Sequence, residues 1–149
     1  MARPGTRPRS GAPGHVIAHA KNVIRVVVAD DEASVRSALR LLLEQDLRIT
    51  SICDVAAAEC LQRHAESSQP DVVLLDWELP GLDAPHLLAA LRALPSHPRL
   101  IALSSRPEQR RCALAGGVDA FVCKGDAPEQ LLATLRQYLG DGARESATA

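Results

Sequence analysis

The chain has 149 residues, of which 46% are hydrophobic and only 2% aromatic, enough for one domain that buries roughly two-thirds of its unfolded surface around aliphatic side chains. Its 17 basic and 18 acidic groups nearly cancel, but residues 1–22 hold Arg3, Arg7, Arg9 and Lys21 and no acid, so the remainder is net acidic. An acidic body argues against a broad nucleic-acid surface, which needs clustered Lys and Arg, and no apolar run approaches the ~20 residues of a membrane span.

Residues 1–22 are rich in Pro, Gly and Arg without periodicity and read as a disordered leader. Residues 22–29 (NVIRVVVA) form a β-branched run suited to a strand buried on both faces, and the folded unit is taken to begin at Val23. Val35, Leu39, Leu42 and Leu43 then repeat at helical spacing. Residues 48–55 read as a second strand, 56–67 as a helix and 71–76 (DVVLLD) as a third strand. A helix over 86–94 follows, with Asp83 as N-cap and Pro85 in its first turn. Residues 99–104 give strand four, 108–116 a helix ended by Gly116–Gly117, and 118–123 strand five. The last helix, 128–139, has Asp126 and Glu129 at capping-box spacing and Leu131, Leu132, Leu135 and Leu139 on its inward stripe. Residues 140–149 are small and polar and read as a disordered tail. Strands alternating with helices predict a doubly wound α/β domain over 23–139, built on a parallel sheet.

Cys53, Cys60, Cys112 and Cys123 show neither C-x-x-C nor zinc spacing and read as free, mostly buried thiols of a cytoplasmic protein. The N-terminus lacks the apolar core of a signal peptide.

In an open parallel sheet, function collects beyond the carboxyl ends of the strands. Strand one delivers Asp30, Asp31 and Glu32 there; strand three Asp76, Trp77 and Glu78; strand four Ser104 and Ser105; strand five Lys124, three residues after Phe121. Strand two delivers only Asp54, at the sheet edge. Converging carboxylates repel one another, and a hard divalent cation, Mg²⁺ above all, resolves that repulsion. With Lys124 such an ion makes a positive pocket in which Asp76 can attack a phosphoryl group. Lys124 is one of only two lysines in an arginine-rich chain. Each piece alone has a plainer use: Asp as a turn former, an acidic triplet as the first turn of a helix. Their conjunction on one end of one sheet is the argument for a site.

At these residues the sequence resembles the receiver domain of two-component response regulators, over about residues 23–139. The shared motifs are an acidic pair after strand one, Asp then Pro-Gly after strand three, Ser after strand four, and an aromatic three residues before Lys on strand five. GGVDAFVCKGDAPEQLLATLR is especially similar to the NarL/FixJ-type subgroup, where Gly125 stands in place of a proline common in other receivers. The resemblance implies a flavodoxin-like five-stranded sheet of order 2-1-3-4-5 flanked by five helices. It implies Asp76 as phosphoacceptor for a sensor histidine kinase or phosphotransfer protein. Mg²⁺ would be held by Asp31, by Asp76, by the backbone carbonyl of Glu78 and, through water, by Asp30. Lys124 would pair with Asp76 and then the phosphoryl oxygen, Ser104 would turn its hydroxyl to the phosphate, and Phe121 would turn inward. That movement repacks the face of helix four, strand five and helix five, where a downstream protein or a second copy binds. Departures are Ser105, Ala84 and the large Trp77, none of which removes a chemical group. The subgroup usually continues into a DNA-binding domain and this chain stops, so a stand-alone receiver without direct DNA binding is expected. Trp77, the only tryptophan, adjoins Asp76 and serves as a reporter.

Glu78 and Arg106 each lie two residues beyond a site residue, at the rim of the pocket. Opposite charges there predict an ion pair that hinders in-line water and slows loss of phosphate. Three function classes follow: a phosphorylation-controlled binding module rather than a metabolic enzyme, a phosphorylation-independent scaffold, and an aspartate-nucleophile phosphohydrolase. The last needs a second Asp two residues after the nucleophile, where Glu78 stands, and a cap domain.

Overall fold

The computed structural model describes residues 23–140, in which strands and helices alternate. They are β1 (Ile24–Ala29), α1 (Ala33–Leu43), β2 (Ile49–Val55), α2 (Ala58–Ser68), β3 (Val72–Asp76), α3 (Ala84–Arg92), β4 (Arg99–Ser104), α4 (Arg110–Gly116), β5 (Ala120–Cys123) and α5 (Pro128–Leu135). A 3₁₀ turn, Pro107–Gln109, leads into α4, and a π-helical turn, Arg136–Gly140, follows α5. The expected leader, residues 1–22, lies outside the described residues. So do residues 141–149 of the expected tail, whereas Gly140, its first residue, closes the π-helical turn.

The sheet is parallel throughout, in the order β2-β1-β3-β4-β5. Successive strand residues face opposite sides, and both sides are apolar because helices cover both. Val27, Ala29, Val73 and Leu75 pack beneath α2, α3 and α4, together with Leu61, Leu87, Leu91 and Ala113. Val26, Val28, Leu74 and Val122 pack on the other side with Leu43 of α1 and with Leu131 and Leu135 of α5. All five residues of β3 are buried, as befits the middle strand. In the register, Ala29 faces Leu75, Asp76 faces Leu103 and Ser104 faces Cys123. The carboxyl ends of β1, β3, β4 and β5 are thereby level, and the strand order reverses direction at β1 and β3.

The α1 stripe is only partly covered. Leu43 is fully buried, while Leu39 and Leu42 border a cleft of about 850 Å³ between α1 and α5 that reaches Leu103 and Val122. α3 begins as expected, Asp83 accepting the His86 N–H at 3.5 Å with Pro85 in the first turn. α5 does not. Pro128 occupies its first turn, where its missing N–H costs nothing, and holds the preceding Ala127 extended as N-cap. Asp126 is thus pushed outside the helix, no side chain caps α5, and the Asp126 carboxylate accepts the Cys123 N–H at 3.3 Å instead. Gly117 caps the end of α4, with a φ of 114° that other residues resist. The four cysteines are free, but the expectation that most are buried fails: Cys112 is exposed and the other three are half-buried. No described helix is long and apolar enough to cross a membrane.

Candidate functional site

Among the described residues, the buried polar or charged side chains are Asp30, Asp76 and Ser104, all at the carboxyl end of the sheet. Burying a carboxylate is costly unless it is paired, so the partners matter. Asp30 Oδ1 accepts the Glu32 N–H at 2.9 Å and Oδ2 accepts from Lys124 Nζ at 2.6 Å. Arg36, one turn into α1, donates to the Asp30 backbone carbonyl at 2.7 Å and fixes the loop from outside. The helix begins only at Ala33, and no acid falls in its first turn. Asp30 and Asp31 therefore belong to the strand-end loop, while Glu32 is the N-cap of α1, through its backbone carbonyl and not its carboxylate.

Asp76 Oδ1 accepts the Glu78 N–H at 3.0 Å and lies 3.4 Å from Lys124 Nζ. Burial pushes its carboxyl above the ordinary range and the Asp30 charge adds to that, against the opposing pull of the Glu78 N–H and of Lys124. Burial works against the Lys124 ammonium too, yet its hydrogen bond to Asp30 and the charge of Asp76 outweigh it and raise its pKa. Lys124 thus stays protonated. Asp31 is exposed, and one carboxylate oxygen each from Asp30, Asp31 and Asp76 lie within 4.8 Å of one another. Oxygen donors at that spacing fit a hard divalent cation.

The Ser104 hydroxyl donates to Glu78 Oε2 and accepts the Arg106 N–H at 2.9 Å. This overturns the expected rim pair. Arg106 meets the site through its backbone, and no ion pair joins it to Glu78 among the described residues. The nearby buried hydroxyl takes the carboxylate, a partner that holds one position where a long exposed guanidinium would have to be immobilised. Phe121 is already inward, 5% exposed, with the Arg110 guanidinium 5.0 Å from its ring centroid. Trp77 packs at the edge of the α2–α4 core, its ring against Gly116 of α4. Asp54 is drawn away from the cluster by Arg40 and by Arg36, the latter at 3.8 Å. The roles of Arg36 and Arg110 are absent from the sequence reading. A cation on the first exposed turn after an acidic loop is the one signal that points to Arg36.

The five-stranded parallel α/β fold thus sets an acidic trio and a lysine together at the switch point of its strand order. The response regulator receiver domain family matches residues 26–136, and the chain belongs to it. The nitrate/nitrite response regulator protein NarL of Escherichia coli is 30% identical over 114 residues, covering 75% of this chain and 53% of that one. The cyclic di-GMP phosphodiesterase response regulator RpfG of Xanthomonas campestris is 31% identical over 120 residues, covering 78% of this chain and 32% of that one. The chain therefore spans only a third to about half of these relatives. A LuxR-family two-component response regulator from Aurantimonas superposes with a TM-score of 0.71 at 22% identity, covering 79% of this chain and 86% of the other. The receiver domain of the sensor histidine kinase PA1611 of Pseudomonas aeruginosa, with a magnesium ion coordinated in its active-site cleft, gives 0.67 at 23%, covering 79% and 98%. Receiver domains work as phosphorylation-controlled switches and generally bind Mg²⁺ in an acidic pocket.

Proposed function

We propose that residues 23–139 form a phosphorylation-controlled signalling switch in a cytoplasmic two-component system, with Asp76 as the phosphoacceptor. The observation that carries this is the burial of Asp76 at the end of β3 with Lys124 Nζ 3.4 Å away and two further carboxylates beside it. The donor would be a phosphohistidine on a sensor kinase or phosphotransfer protein. A carboxylate oxygen of Asp76 attacks phosphorus, the P–N bond breaks, and its electron pair returns to the imidazole nitrogen. Lys124 neutralises charge gathering on the transferred oxygens. Asp31 and Asp76, with the Glu78 carbonyl and with Asp30 through water, would hold Mg²⁺, which supplies further positive charge against those oxygens when bound. Burial at the strand end limits access of water to the acyl phosphate.

The product differs from the resting site by an added dianionic group beside Ser104 and Lys124. Ser104 would turn to it, and repacking of Phe121 would alter the face made by α4, β5 and α5, a two-state element biased by local charge. The output is a contact with a downstream protein or a second copy, without turnover of an external substrate and without direct DNA binding by these residues. The proposal is the same whether or not an output domain accompanies them. Adding Mg²⁺ with beryllofluoride or a small phosphodonor should change Trp77 fluorescence, and Asp76→Ala should abolish the change. A response that survives Asp76→Ala would place the chemistry elsewhere.

A further inference from the structure

Glu78 joins two groups that act separately in the switch. Its backbone N–H donates to Asp76 Oδ1, and its carboxylate accepts the hydroxyl of Ser104. Ser104 is fully buried, and its oxygen is occupied in turn by the Arg106 N–H. A serine hydroxyl has one proton to give. Here that proton goes to the Glu78 carboxylate, with the Arg106 backbone carbonyl a longer second acceptor at 3.4 Å, so it is not available to an anion on Asp76. A hydrogen bond to an ionised acceptor is roughly twice as strong as a neutral one, so this commitment has to be outbid. Glu78 itself is otherwise exposed, so its carboxylate serves no packing purpose.

We propose that Glu78 is a positioning residue for Ser104: its carboxylate holds the hydroxyl off Asp76 in the resting state, and a phosphoryl group on Asp76 must take the proton from it before the switch turns. This rests on the reading of Asp76 as phosphoacceptor. Two anions compete for one donor, and the difference in their hold on it sets the resting population. An exposed acid acting only by repelling an anionic ligand would do so whether or not Ser104 is present. A positioning residue acts only through Ser104.

The test is a beryllofluoride titration of the full chain in Mg²⁺, read by Trp77 fluorescence, for wild type and Glu78→Gln, each with Ser104 and with Ser104→Ala. Glu78→Gln keeps the shape and removes the charge. It should lower the half-saturating beryllofluoride about fivefold with Ser104 present and less than about twofold with Ser104→Ala, the signature of coupling in a double-mutant cycle. A second measurement needs no ligand: side-chain couplings of Ser104 by NMR should report one rotamer in wild type and averaging in Glu78→Ala. An equal factor in both backgrounds, or an unaveraged Ser104 in Glu78→Ala, overturns the proposal. If the wild type saturates and the variants match it, this proposal alone falls. If the wild type takes no beryllofluoride at Asp76, the phosphoacceptor reading falls and this proposal with it.

Discussion

Lys124 donates to Asp30 Oδ2 at 2.6 Å and only secondarily approaches Asp76 Oδ1, at 3.4 Å. The order follows from burial. Asp30 is wholly removed from water, and an isolated buried charge is the costliest kind, so the ammonium serves it first. In the resting protein Lys124 holds the acidic pocket together, and its second contact points it at the group that would receive phosphate.

Lys124→Met should therefore destabilise the fold even where phosphorylation is irrelevant. Breaking a buried pair costs about 3–5 kcal/mol when both partners are dry. The Lys124 side chain is 20% exposed, and we expect about 1–3 kcal/mol after allowing for solvent screening. Adding Asp30→Asn to Lys124→Met should recover at least half of the loss, because the orphaned charge is gone. Urea unfolding in EDTA measures both. Equal stability of wild type and Lys124→Met would show that Asp30 does not depend on this partner.

Asp76→Asn should have the opposite sign. Burial first, then the Asp30 charge, holds the Asp76 carboxyl above its ordinary pKa. A carboxyl whose pKa rises on folding contributes stability that is fully present below its unfolded pKa and is lost as pH rises through the folded one. At neutral pH the charged form works against folding, and Asn relieves it while still accepting the Glu78 N–H. The melting temperature in EDTA should rise by a few degrees, for roughly 1 kcal/mol. The advantage should shrink toward acid pH and when Mg²⁺ is added. An Asn variant less stable than wild type at neutral pH in EDTA contradicts the repulsion.

These two cases mark what the sequence carries. Asp30, Asp76, Ser104 and Lys124 were legible because an apolar strand run fixes where the strand ends, and parallel topology brings the ends level. The failed cap at Asp126 shows a local rule losing to its neighbour, since Pro128 decides where α5 starts. Side-chain direction was not legible. That Glu78 turns to Ser104 and not to Arg106, or that Arg110 covers Phe121, depends on ångström-scale loop placement between segments far apart in sequence. The unfilled cleft beside α1 is likewise a matter of helix separation, invisible in a stripe of Leu residues.

Arg110 lies over the Phe121 ring at 5.0 Å, with the ring buried and the cation at the surface. Such a contact contributes about 0.5–1 kcal/mol at an exposed site. Arg110→Ala should cost that much when Phe121 is present and close to nothing when Phe121 is Leu. A double-mutant cycle in urea isolates the term. Strict additivity would mean that Arg110 does not cover the ring.

Gly116 and Gly117 should respond oppositely to alanine, although they are adjacent. Gly116 ends α4 in helical conformation, and a Cβ there would stand 3.5 Å from the Trp77 ring, an ordinary contact. Alanine should stabilise by about 0.5–1 kcal/mol through helix propensity and blue-shift Trp77 emission by excluding water from the ring edge. Gly117 has φ 114°, which alanine resists, so Gly117→Ala should destabilise by about 1 kcal/mol or more. Thermal unfolding and the emission maximum give both readings. An unmoved emission maximum in Gly116→Ala would show that Trp77 does not rest on α4. A shifted one places the residue that follows Asp76 in contact with the helix whose movement would carry the signal.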